Sequence, residues 1–208
     1  MEFASNEWRK EEVVARREFA DYAAYVDVQT SKLDKIQGTL LEGESNRFER
    51  FKDTFRDCRE LRDCRNVLCL GARLGTEVRA LISLGHFAVG IDLNPGSENP
   101  YVLAGDFHDL VFADGSVDAV YTNVMDHALE PERKLKEVVR VLRPGGIFIM
   151  EISRGYDEGY IPDTDYSALA WSTAQDFVDY CADVGGLKLL RHQDLPNPPW
   201  SQAVFRKP

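Results

Sequence analysis

No run of apolar residues in this 208-residue chain approaches the ~20 needed to span a bilayer, so no membrane-spanning helix is expected. The opening stretch, MEFASNEWRKEE, lacks the apolar centre of a secretory signal, and the chain reads as cytoplasmic. Basic charge is short as well. Lys and Arg number 25 against 35 Asp and Glu; before and after the Asn66 boundary the balances are 13 to 15 and 12 to 20. Neither part has the electrostatic footprint of a nucleic-acid binder, and an acidic substrate is expected only where a few arginines meet it in a pocket. The four cysteines, Cys58, Cys64, Cys69 and Cys181, form no CxxC pair and have no His partner at metal spacing, which predicts buried reduced thiols and no structural zinc. There is no internal repeat and no low-complexity tract. Two nucleotide signatures are also missing: no GxGxxG and no GxxxxGK(S/T).

What is present is ordinary for a soluble globular chain, with 44% hydrophobic and 29% charged residues. The length suits one good core with an appended helical piece. Residues 7–36 read as one long helix, with Asp27 the point where a break would fall. Ala15, Phe19, Tyr22, Val26, Leu33 and Ile36 line one face of it. Gly38 and Gly43 interrupt the pattern, and a second helix follows, with Ser45 as cap and Phe48, Phe51 and Phe55 on one face. These faces either pack on the following domain or also form a lid over a pocket; as exposed stripes they would equally serve a homodimer.

From Asn66 the pattern alternates. Strands are expected over 67–70, 87–93, 101–103, 119–122, 147–152, 187–191 and 202–205, with helices over 76–84, 132–142 and 173–184, the last opened by Ser172 and Gln175 as a capping box. Continuously apolar strands between helices argue an α/β fold with a parallel sheet covered on both faces. Only HQDLPNPPW separates the last two strands, so they are expected to pair antiparallel. The division is an N-terminal helical cap, 1–62, and a main domain, 63–208.

One stretch, NVLCLGARLGTEV, carries the functional question. A strand that ends in a glycine turn and opens a helix presents backbone N–H groups to a cofactor's polar groups. About 20 residues beyond Gly71, Asp92 stands at a strand end where an acid can accept both hydroxyls of a ribose. Asp106 and Phe107 follow the third strand beside the same sheet edge, an acid for an adenine amino group and a ring for its face.

VLCLGARLG, GIDLNP, GDFHDLVF, DGSVDAV and KLKEVVRVLRPGGIFIMEI occur in that order over residues 66–152. Together they resemble the class I S-adenosylmethionine-dependent methyltransferase domain in its small-molecule, type 11 style. The resemblance implies a Rossmann-like, seven-stranded, mostly parallel sheet with an antiparallel last strand, and S-adenosyl-L-methionine as cofactor. It implies that Gly71 and Gly75 line the methionine part, Asp92 binds the ribose, and Asp106 and Phe107 bind the adenine. Asn123 would lie near the methionine amino group or the reacting centre. There are departures. The family's strand-one acid is Cys69 here, which removes one indirect contact to the cofactor's amino group. The middle glycine is Arg73, which either meets the cofactor's carboxylate or is solvated. NPGSENP is too short for the usual crossover helix, leaving one face bare or covered by the N-terminal helices.

Methyl transfer from a sulfonium is an in-line displacement, largely a positioning task. If a general base is used, the candidates are Asp126 and His127 after the fourth strand, and less readily Glu151. His108 and His192 read as surface residues or as residues standing behind those that touch a ligand. The segment 153–172, rich in tyrosines, is either a surface loop or a lid that helps choose the substrate. The expected activity is methylation of a small molecule, with neither nucleic acid nor membrane as partner. Two alternatives stand: a non-catalytic binding or regulatory module that keeps the fold, and, lower for want of GxGxxG, a nicotinamide-dependent oxidoreductase.

Overall fold

The computed structural model describes residues 8–160, 165–196 and 199–208. In chain order the elements begin with strands β1 (Trp8–Lys10) and β2 (Val14–Arg17) and helices α1 (Tyr22–Glu42) and α2 (Glu44–Asp57). Then come β3 (Asn66–Leu70), α3 (Thr76–Ser83), β4 (Phe87–Asp92), β5 (Val102–Ala104), β6 (Val117–Thr122), α4 (Pro131–Val141) and β7 (Leu142–Ser153). The chain closes with β8 (Leu169–Trp171), α5 (Ala174–Gly185), β9 (Lys188–Asp194) and β10 (Trp200–Arg206).

Seven strands form one sheet in the order β5-β4-β3-β6-β7-β10-β9. The first five pair in parallel, and β10 runs antiparallel to both β7 and β9. Because side chains alternate along a strand, β3 sends Leu68 and Leu70 to one face and Val67 and Cys69 to the other. The first face packs against Leu135 and Val138 of α4 and Phe177 and Val178 of α5. The second packs against Phe51 and Phe55 of α2 and Val78 and Leu81 of α3. The result is an α/β sandwich of three layers. All four cysteines are buried and free. No described helix is long and apolar enough to cross a membrane.

Several local expectations are corrected. Residues 8–17 are not helical: β1 and β2 form a hairpin, and β2 pairs with β8 in a separate three-stranded sheet. Val14 joins the main core from β2, so burial and pairing with a segment some 155 residues away outweigh the helical spacing. Helix α1 starts at the Asp21 cap, runs unbroken past Asp27 and Gly38, and ends at Gly43. Gly43, not Ser45, stands at the start of α2. In α5 the cap is Thr173, whose hydroxyl accepts the Asp176 N–H, while the Ser172 hydroxyl bonds to the Asp176 carboxylate. Of the two places expected for His108, it takes the one behind the site: it is buried, at 1% exposure, and bonds to Asp106. No helix joins β4 to β5. Helix α1 lies over that connection instead, where Asn94 donates to the Thr30 carbonyl at 2.8 Å.

Candidate active site

Strand β3 has β4 on one side and β6 on the other, and the chain winds away from it in both directions. At such a switch point the loops beyond the strand ends diverge and leave a crevice. The loop 71–75 lines it. Gly71 sits at φ 75°, and a Cβ there would fall 2.2 Å from Val124, so this turn excludes any side chain. Gly75, at φ 77°, opens α3. Between them Arg73 takes φ 44°, an unusual conformation for a residue with a side chain. That twist turns the Arg73 N–H onto the Asp92 carboxylate at 2.9 Å, and the Asn94 N–H donates to its other oxygen at 2.9 Å. Burial pushes the Asp92 carboxyl upward against those two bonds.

The crevice is divided into two compartments. The larger, about 200 Å³, is walled by Gly71, Arg73, Glu77, Asn123, Asp126 and His127, with Leu40, Arg47 and Phe51 from the N-terminal helices and Trp200 from β10. The smaller, about 40 Å³, is walled by Asp92, Leu93, Phe107 and Val124 and roofed by Tyr25, Gln29 and Lys32 of α1. Gly71, Arg73, Val124 and His127 border both.

Of the residues singled out from the sequence, Gly71, Arg73, Asp92, Phe107, Asn123, Asp126 and His127 line one or both compartments. Gly75 and Asp106 lie beside them without lining either. Asp106 is engaged: Tyr22 donates to one oxygen at 2.5 Å, and the backbone N–H and Nδ1 of His108 meet the other at 2.8 and 2.9 Å. Burial would raise this carboxyl, but the bonds from His108 and Tyr22 outweigh it and hold it at about 2. Glu151 lines neither compartment; it is buried under α2, with Arg50 3.3 Å from one oxygen.

His127 has both ring nitrogens occupied. Nδ1 faces the Tyr166 carbonyl at 3.1 Å, which fixes the proton there and leaves the Nε2 lone pair to accept from Lys32 at 3.0 Å. Burial, reinforced by Lys32 and Arg73 and opposed by Asp126, pulls its pKa down to about 4. A neutral imidazole whose lone pair already holds an ammonium is a poor proton acceptor, so the geometry weakens its candidacy as a base. Asp126 is the more accessible group, bonded to the Ser167 hydroxyl at 3.5 Å.

Three groups escaped the sequence reading. Tyr25, Gln29 and Lys32 follow Tyr22 at helical steps, and this polar row, not the apolar one, closes α1 over the site. Tyr25 donates to the His127 carbonyl at 2.9 Å and Gln29 to the Tyr166 carbonyl at 2.7 Å. The second group is Lys134, wholly buried in α4, where it donates to Thr122 Oγ1 at 3.1 Å and the Val124 carbonyl at 3.2 Å and lies 4.0 Å from the Phe107 ring centre. The third is Glu77, which resembled an ordinary exposed acid in the first turn of a helix. The signal available for all three was a polar residue at a core-facing helical position.

Residues 68–150 match the family model described as methyltransferase domain. An uncharacterised methyltransferase of Mycobacterium tuberculosis is 36% identical over 90 residues, 39% of this chain and 37% of that protein. Demethylmenaquinone methyltransferase of Paenarthrobacter aurescens is 29% identical over 139 residues, 62% of this chain and 54% of that protein. The chain thus spans between a third and just over half of the curated relatives first matched. Among solved structures, 1,6-didemethyltoxoflavin-N1-methyltransferase of Burkholderia thailandensis, with 1,6-didemethyltoxoflavin and S-adenosylhomocysteine bound, superposes with a TM-score of 0.72. It covers 99% of this chain and 98% of its own at 14% identity, a likeness of fold. Residues 68–150 of this chain are thus similar to the methyltransferase domain, and the chain shares its fold with a solved methyltransferase that holds S-adenosylhomocysteine.

Proposed function

We propose that the chain binds S-adenosyl-L-methionine across the two compartments and transfers its methyl group to a small-molecule acceptor. The observation that carries this reading is the juxtaposition at the switch point: the Gly71 turn, the Asp92 carboxylate held by two backbone N–H groups, and Phe107 border one crevice. When bound, the cofactor supplies a sulfonium-activated methyl group. The protein's part is to hold and to exclude water. Asp92 receives the ribose hydroxyls and Phe107 packs on the base, with Asp106 at its edge once Tyr22 releases it. Gly71, Gly75 and Asn123 surround the methionyl end, and Arg73 meets its carboxylate. Asp126 faces the acceptor as the accessible carboxylate, and His127 positions Lys32 and Arg73.

The larger compartment, about 200 Å³ and bordered by Leu40, Phe51 and Trp200, has room for a small acceptor rather than a polymer. The relatives named for demethylmenaquinone and for 1,6-didemethyltoxoflavin support the same class. Two observations favour the second reading, a binding or regulatory module: Arg73 stands in the crevice, and α1 leaves only about 40 Å³ beside Asp92. Calorimetric titration with S-adenosylmethionine and S-adenosylhomocysteine tests both. Micromolar binding that Asp92→Ala weakens at least a hundredfold, followed by turnover on an aromatic acceptor panel, is the expected result. Failure of wild type to bind either would overturn the proposal.

A further inference from the structure

Glu77 projects from the first turn of α3 into the larger compartment, where it borders Arg73 and Asn123. It is 6% exposed, and beyond its own backbone N–H no donor among the described residues bonds to its carboxyl. A buried acid that no side chain bonds is costly, because the charged form loses its hydration and the attraction of Arg73 and Arg47 offsets only part of the loss. The other carboxylate of this compartment, Asp126, differs: it is more exposed and already accepts from Ser167. The place that Glu77 occupies is informative. Cys69 points to the face of the sheet that α3 covers, and Glu77 is the charge that acts on its thiol. A carboxyl therefore stands beside the strand-end position where this chain has Cys69 in place of an acid, but it is delivered by the helix instead of the strand.

We propose that Glu77 receives the α-ammonium group of the cofactor's methionyl end, so that Arg73 and Glu77 form a two-signed clamp for its carboxylate and ammonium. This rests on the cofactor reading given above. Each partner suits its charge. A guanidinium offers parallel N–H donors to a carboxylate, and a buried carboxylate accepts from an ammonium in a medium that strengthens the pair. The groups that face Glu77 are Arg73 from the loop, Cys69 from β3, Asp92 from β4, Tyr121 from β6, Glu151 from β7 and Arg47 from α2. Burial, opposed by its own N–H and by Arg73 and reinforced by Asp92 and Glu151, raises the free carboxyl to about 8. It is therefore mostly protonated at neutral pH, and an arriving ammonium must expel that proton.

The test is calorimetric titration of the full chain at pH 7, in two buffers of different ionisation enthalpy. The two ligands are S-adenosylhomocysteine and 5′-methylthioadenosine, which shares the nucleoside and thioether but lacks the amino-acid end. Wild type is expected to release close to one more proton on binding the first ligand than the second. Glu77→Gln is expected to abolish that excess and to weaken S-adenosylhomocysteine at least tenfold, with methylthioadenosine changed less than twofold. Equal proton release for the two ligands in wild type would overturn the assignment even if the variant failed to fold. So would an unchanged affinity for S-adenosylhomocysteine in the variant. Either result would leave the cofactor reading standing, whereas no binding of either ligand to wild type would overturn both.

Discussion

Arg73 holds a left-handed backbone conformation that costs an L-residue roughly 1 kcal/mol and that glycine adopts freely. Arg73→Gly is expected to raise stability to urea, by at most about 1 kcal/mol, since relief of the backbone strain is set against the 3.5 Å approach to His127 and the attraction to Asp92 and Glu77. If Arg73 grips the cofactor's carboxylate, the same variant binds S-adenosylhomocysteine more weakly while becoming more stable; tighter binding would show that the side chain merely obstructs the crevice. Lys134 shows the other side of burial. Desolvation, opposed chiefly by Asp126, lowers its ammonium to about 7 from 10.5. The unfolded chain therefore binds a proton that the folded one lacks between those values, and this group's contribution to stability rises with pH there. The slope approaches about 1.4 kcal/mol per pH unit. Lys134→Met should remove that rise, measured as urea midpoints at intervals from pH 7 to 10.

At the scale of elements, α1 decides access. Its row of Tyr22, Tyr25, Gln29 and Lys32 bonds to Asp106, His127 and Tyr166, and it leaves about 40 Å³ where a nucleoside needs several times more. On the cofactor reading proposed above, a nucleoside beside Asp92 requires this helix to lift. Tyr22→Phe deletes a hydrogen bond to a charged acceptor, which should cost about 2 kcal/mol of stability. It should also speed association of S-adenosylhomocysteine several-fold in stopped-flow fluorescence; an unchanged rate would mean that entry does not pass under α1. Helix α5 offers a simpler case. Thr173 caps it through the Asp176 N–H, and Thr173→Ala should lower stability by about 1 kcal/mol without touching ligand binding.

For the whole molecule, several carboxylates link distant parts of the chain and are held low by their partners. Burial works against Glu60 and Glu132, but Arg59 and Arg191 for the first, and Arg16 and Tyr180 for the second, outweigh it and bring both to about 2. Glu132 thereby ties the β1–β2 hairpin to α4 and α5. Asp106, also at about 2, ties α1 to the loop after β5. Folded values below the unfolded ones mean stability that is full above about pH 4.5 and is lost as pH falls through 2. Circular dichroism in urea at pH 5, 4 and 3 should show the midpoint falling steadily, and more shallowly in Glu132→Gln. A midpoint independent of pH would show that these ties are solvated.

What the sequence determined by itself was the α/β frame from Asn66 onward. Apolar strands such as IFIMEI and helices such as KLKEVVRVL carry strong local periodicity, and the Gly71 turn is readable because an apolar strand runs into a glycine just before a helix. The position of Asp92 at a strand end is local too. The tertiary structure alone decided the rest. EEVVARR has helix-like spacing, yet β2 is a strand because β8 waits to pair with it, a partner that no local window contains. Which face of α1 turns inward depends on Asp106, His127 and Tyr166, all supplied from elsewhere in the chain. Glu77 and Lys134 look like surface charges in the sequence. They are buried because the helices that carry them pack flat on a sheet whose strand ends leave room for a ligand. Local pattern fixes periodicity, whereas burial of a charge is a property of everything packed around it.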